Sequence, residues 1–147
     1  MAIRTAHTAW NGTLHEGSGQ TELTSSGAGT FEVTWPRRIG DTADGVTSPE
    51  ELIAAAHSSC YSMQLSGLIG RAGATPVSLD VQADVSLVPD PAGGVRIDKI
   101  HLTVRGEVEG MDDETFVETA ENAKQTCPVS KALTGVDEMT VDAALKQ

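Results

Sequence analysis

The chain has 147 residues, 39% of them hydrophobic and 21% charged, the make-up of one ordinary globular domain with room for a sizeable core. Its formal net charge of −11 repels phosphate backbones and anionic lipid, which excludes nucleic acid and membrane surfaces as natural partners. Aromatic residues make up only 3%, so the core has to be built from Val, Leu, Ile and Ala.

Met1 to Trp10 contains no apolar stretch of the kind a signal peptide carries, which points to a cytoplasmic chain. Asn11-Gly12 is a hairpin-type pair, followed by a polar strand over roughly 17–24. The run Ser25 to Gly29 reads as a turn. Phe31, Val33 and Trp35 alternate with polar residues until Pro36 ends the strand. Arg37-Arg38-Ile39-Gly40 then opens a loop that runs to Ser48.

At Ser48 the signals of a helix start coincide. Ser48 suits the N-cap, Pro49 the first helical position, and Glu51 lies three residues on, as a capping box requires. From Leu52 to Gly70 no residue is charged, and apolar or small side chains occur on every side. That pattern describes a helix wrapped by protein. By length it would also span a bilayer, but His57, Gln64 and several serines, without flanking basic anchors, favour a buried helix.

Beyond Gly70, Val77, Leu79, Val81, Ala83, Val85 and Leu87 follow at period two, the clearest strand in the chain. Pro89 to Gly94 turns into a second strand. There Val95 and Ile97 share one parity and Ile100, Leu102 and Val104 the other, so a β-bulge is predicted at Asp98-Lys99. Asp112-Asp113-Glu114 opens a second helix with Phe116, Val117, Ala120 and Ala123 as its apolar stripe. A short helix follows from Pro128 to about Leu133, and Met139, Val141 and Ala143 form a last strand. The order implies a single α+β domain over 1–147, a sheet against two helices.

Two cysteines in a chain expected to be cytoplasmic read as free or redox-active thiols. Cys60 lies mid-helix, where a thiol ordinarily serves as a small hydrophobe. Cys127 precedes Pro128, which biases it away from helical geometry and opens a helix whose N–H groups favour a thiolate. Cys60 has no such help from its own helix and needs a cation. Arg37 and Arg38 leave a strand end ahead of the helix, and a permanent guanidinium charge stabilises a thiolate and then a departing alkoxide. Glu50 is placed to hold it in a bidentate pair. Ten residues separate Glu50 from Cys60 on one helix, about 15 Å along its axis. Either the arginine bridges that gap or a second copy of the chain supplies Arg and Glu. Ala54, Ala55, Ala56, Ser58 and Ser59 leave room for another helix to approach.

The segment Ser-Pro-Glu-Glu-Leu-Ile-Ala-Ala-Ala-His-Ser-Ser-Cys-Tyr-Ser-Met, 48 to 63, together with Cys127-Pro128-Val129-Ser130, resembles the OsmC/Ohr family of peroxidases, its OsmC branch more closely. The resemblance spans nearly the whole chain. It implies an OsmC-like fold, an antiparallel sheet packed against a long buried central helix and a second helix, in an intertwined homodimer with sites at the subunit interface. It implies a thiol-dependent peroxidase that prefers organic hydroperoxides and serves in oxidative or osmotic stress defence. By position, Cys60 becomes the peroxidatic thiol, Cys127 the resolving one, and Glu50 the partner of a catalytic arginine. For that arginine Arg38 is preferred, with Arg37 as the competitor. The implied cycle passes through a Cys60 sulfenic acid and a Cys60–Cys127 disulfide, and the resemblance suggests an external dithiol of lipoyl type to regenerate the enzyme. An apolar pocket of Ile53, Met63, Leu65 and neighbours would favour alkyl hydroperoxides over hydrogen peroxide.

Blander readings stand beside these. His57, three residues before Cys60, reads as a hydrogen-bonded core histidine ahead of a base. His57, Cys60 and Cys127 lack a fourth ligand at recognisable spacing, so no metal is expected, nor any other cofactor. Met63 reads as core filler and Glu51 as the capping-box acid. The alternative function is a lipid-like ligand-binding or redox-sensor module without turnover, and a third is a structural dimer with chance cysteines.

Overall fold

The computed structural model describes residues 1–146. They fall into two compact units, one of residues 1–52 and one from residue 53 onward.

The first unit is a three-stranded antiparallel sheet, β1 (His7–Asn11), β2 (Ser18–Glu22) and β3 (Thr30–Val33), in that order. Asn11 pairs with Ser18, so the first connection takes residues 12–17, wider than a two-residue turn. The reason is local. Gly17 donates its N–H to the Thr13 carbonyl at 2.8 Å, and a Cβ on Gly17 would stand 2.4 Å from the carbonyl oxygens of Asn11 and Thr13. Where the sequence suggests a loop from Arg37, the chain winds a short helix, α1 (Trp35–Ile39). Thr34 caps it by accepting the Arg37 N–H at 3.3 Å, and Pro36 suits its first turn.

The central helix, α2 (Pro49–Arg71), begins where its signals place it. Ser48 Oγ accepts the Glu51 N–H at 3.2 Å, while the Glu51 carboxylate takes the Thr47 hydroxyl. Its burial is narrower than its composition suggests. His57, Tyr61, Leu65 and Ile69, four residues apart, are fully buried, whereas Ala55, Ala56, Ser59, Met63 and Gly67 are exposed. Cys60 is accordingly half-buried, and Met63 is 75% exposed instead of filling core. One chain supplies cover for one helix face, and at 3.6 residues per turn the other face stays open.

The second unit holds a sheet of β4 (Thr75–Pro89), β5 (Val95–Glu109) and β6 (Glu138–Leu145). β4 and β5 form a long antiparallel hairpin. Ser86 pairs with Lys99 and Leu87 with Ile97, which leaves Asp98 as the extra residue of the bulge the parity slip predicts. β6 runs parallel to β5, because α3 (Asp113–Thr126) and α4 (Pro128–Ala132) carry the chain back across the sheet between them. Asp112 caps α3 by accepting the Thr115 N–H at 2.8 Å. A Cβ on Gly106 of β5 would stand 2.6 Å from the Phe116 ring, so that strand position is what lets α3 lie close on the sheet. Leu65 and Ile69 of α2, Leu102 and Val104 of β5, and Phe116 and Ala120 of α3 form one core. Among the described residues no helix is long and apolar enough to cross a membrane.

Candidate active site

Three hydrogen bonds from the buried stripe of α2 set the register of the second unit. Tyr61 Oη donates to the Ala120 carbonyl at 2.7 Å, Gln64 Nε2 donates to Thr126 Oγ1 at 2.8 Å, and His57 Nε2 lies 2.7 Å from Ser130 Oγ. Residues 57, 61 and 64 share one helix face. Together they lash α2 to α3 and α4 on either side of Cys60.

Opposite Cys60 stands Cys127, at the joint of α3 and α4. Pro128 forbids it helical geometry, and at φ −61°, ψ 126° it ends one helix and caps the next. Its N–H donates to the Ala123 carbonyl at 2.8 Å. Cys127 is fully buried, both thiols are free, and they lie close enough for each to shift the ionisation of the other.

The two sulfurs differ electrically. Burial pushes the Cys60 thiol up, its neighbour Cys127 adds to the rise, and the Val129 N–H opposes it without prevailing. Burial also pushes Cys127 up. There, however, the Ser130 N–H, the Cys60 thiol, the Ser130 hydroxyl and the Val129 N–H outweigh it and leave the thiol below its ordinary value. Of the two, Cys127 therefore gives up its proton the more readily. Burial lowers His57, which keeps the imidazole neutral, and burial raises Tyr61, which keeps its hydroxyl a donor.

In the first unit Glu50 is buried and holds Arg38. Arg38 Nη2 donates to Oε1 at 2.7 Å, and Nε donates to Oε1 at 3.1 Å and to Oε2 at 3.2 Å. The Arg38 guanidinium also stands 5.7 Å from the Trp35 ring centroid. Arg37 pairs instead with the exposed Asp44.

The pocket expected from Ile53, Met63 and Leu65 is not assembled. Leu65 lies in the core, while Met63 lines an open groove of about 320 Å³ with Ser62, Ser66, Val77 and Leu79. Two residues apart on a helix means about 200° of rotation, so Met63 and Leu65 face different ways. The sequence reading also passed over Ser130, Tyr61 and Gln64. A polar residue three places after a helix-capping cysteine, and polar groups in register with His57 on an otherwise apolar stripe, were the available signals. Among the described residues no cluster of three His, Cys, Asp or Glu side chains is arranged to hold a metal.

Residues 42–142 match the OsmC-like protein family. Peroxiredoxin OsmC of Escherichia coli is 42% identical over 139 residues, 93% of this chain and 92% of that one. Organic hydroperoxide resistance protein OhrA of Bacillus subtilis is 32% identical over 98 residues, 67% of each chain. Among solved structures, an organic hydroperoxide resistance protein from Elizabethkingia anophelis aligns with a TM-score of 0.73 at 26% identity, over 97% of this chain and 98% of that one.

Proposed function

The chain belongs to the OsmC-like family, and from that membership we infer that it is a thiol-dependent peroxidase that reduces organic hydroperoxides to alcohols. The observation that carries this reading is the pair of free thiols, one half-buried and one fully buried, facing each other across α2 and the α3–α4 joint. Cys60, the more accessible sulfur, is the peroxidatic thiol. Its thiolate attacks the outer peroxide oxygen, the O–O bond breaks, the alcohol leaves with the proton, and Cys60 becomes a sulfenic acid. Cys127 then forms the disulfide with loss of water. An external dithiol of lipoyl type returns both cysteines to thiols by exchange.

Cys60 keeps its proton among its neighbours in the second unit, so the first step needs a cation. Arg38 takes that role, aimed by Glu50 through the bidentate pair, and its charge also meets the departing alkoxide. The active species is a homodimer with its sites at the subunit interface. The small residues on the open face of α2 and the exposed apolar side chains Trp10, Phe31, Met63 and Val77 support that assembly. The protein acts in the cytoplasm, in defence against oxidative or osmotic stress.

The test is turnover. Purified protein mixed with cumene hydroperoxide and a dithiol consumes many equivalents of peroxide, and after one equivalent without reductant its mass falls by two hydrogens with Cys60 linked to Cys127. Consumption that stops after one equivalent in the presence of dithiol selects the redox-sensor reading instead. Full turnover in Cys60→Ser ends the assignment.

A further inference from the structure

The thiol cycle leaves two fully buried polar groups beside it without a task. His57 is 0% exposed and Ser130 2%, and they meet at 2.7 Å between α2 and α4. The other ring nitrogen of His57, Nδ1, has no partner. Keeping a half-satisfied imidazole in a core is unfavourable, and an apolar pair of the same shape would avoid it.

Ser130 sits three residues after Cys127, at the third position of the helix that Cys127 caps. In a capping box the side chain there reaches back to the cap's own N–H. Here that N–H is already given to the Ala123 carbonyl. The Ser130 hydroxyl thus meets His57 instead, at the helix position from which a side chain reaches back toward the residue that caps it. A hydroxyl carries one hydrogen and two lone pairs, so in the tautomer with the proton on His57 Nε2 it accepts there and keeps its own hydrogen for the sulfur. That orientation suits a thiolate.

We propose that Ser130, held by His57, is a positioning residue for the second step of the cycle, presenting a hydrogen to Cys127 so that it attacks the Cys60 sulfenic acid as a thiolate. The proposal rests on the peroxidase reading. The new S–S bond forms, the S–O bond of the sulfenic acid breaks, and the departing hydroxide leaves as water with the proton that Cys127 gave up. No other reactant is needed. The titratable groups that act on Cys127 are Cys60 and Tyr61 of α2, while His57 of the same helix meets Ser130. Glu121 of α3 acts through Tyr61, and the β5 side chains in the same core, Leu102 and Val104, are apolar. Lys124 and Lys131 share with Ser130 the wall of a cavity of about 270 Å³.

Rapid-quench mass spectrometry of the full chain after one equivalent of cumene hydroperoxide separates sulfenic acid formation from disulfide closure. In Ser130→Ala, Cys60 oxidation keeps its rate, whereas closure at neutral pH slows by about tenfold or more, the usual weight of a hydrogen bond to a charged group. The pH profile of closure shifts upward, and the deficit shrinks in alkali, where Cys127 ionises unaided. Ser130→Thr, which keeps a hydroxyl, restores both. His57→Asn, which removes the orienting partner and leaves the hydroxyl, slows closure to a lesser degree and serves equally if Ser130→Ala does not fold. Closure with an unchanged rate and pH profile in these variants overturns the proposal and leaves the peroxidase intact. Absence of Cys60 oxidation in the unaltered chain brings down both.

Discussion

Residues 1–52 and the residues from 53 onward bury different things. Every buried hydrophobic side chain among the described residues lies in the second unit, while the buried side chains of the first are Thr21 and Glu50. β1 is exposed along its whole length, and Trp10 on it and Phe31 on β3 are 41% and 38% exposed. A segment of that size without an apolar interior has little to hold it folded by itself. Its one built feature is a charge pair, a buried carboxylate gripping a guanidinium. The second unit is the reverse, an apolar core with both free thiols packed into or against it. One region thus holds a charge pair, and the other holds both thiols. The exposed apolar side chains of the first and the open face of α2 are the surfaces that the proposed homodimer would cover.

That division is broken or sharpened by four experiments. The largest effect is expected in the thiol region. Cys127→Ser consumes one equivalent of hydroperoxide and then accumulates a sulfenic acid that dimedone traps, and dithiol-driven turnover falls by at least about a hundredfold as an intramolecular step becomes intermolecular. Undiminished turnover would remove Cys127 from the cycle. Next comes the charge region. Arg38→Ala lowers kcat/KM by about two to three orders of magnitude, the usual loss of a preorganised charge at a developing anion. Glu50→Gln gives a smaller loss. Arg37→Ala changes little, since its partnership with Asp44 is on the surface. The opposite ranking of the two arginines would transfer the role to Arg37.

A third experiment bears on the open face of α2. Met63→Glu should raise the dimer dissociation constant by about ten- to a hundredfold, the weight of one buried side chain, as read by sedimentation equilibrium. An unaltered chain that sediments as a monomer at working concentration would sink the assembly. The smallest effect concerns His57. Burial holds it below its ordinary value of 6.5, so its contribution to stability is present above that pH and is lost as pH falls below it. The melting temperature of the unaltered chain should therefore drop more steeply between about pH 7 and about pH 5 than that of His57→Gln. Parallel curves would show that the imidazole does not titrate differently in the folded state.

The sequence by itself determined whatever depends on neighbours along the chain. The Ser48 cap, the bulge at Asp98, the acid start of α3 and the extended joint at Cys127-Pro128 all follow from short-range sterics, parity and hydrogen bonding. The thiols stood out for the same reason, since their motifs are contiguous. Tertiary structure alone decided what depends on which surfaces meet. It set β6 parallel to β5, left Met63 in the open, and confined the cover of α2 to one stripe of an evenly uncharged helix. It also gave Glu50 to Arg38 and left Arg37 to Asp44, and it brought His57 to Ser130 across seventy-three residues. No periodicity encodes such meetings, because they arise only when separate elements pack and each buried polar atom has to find a partner.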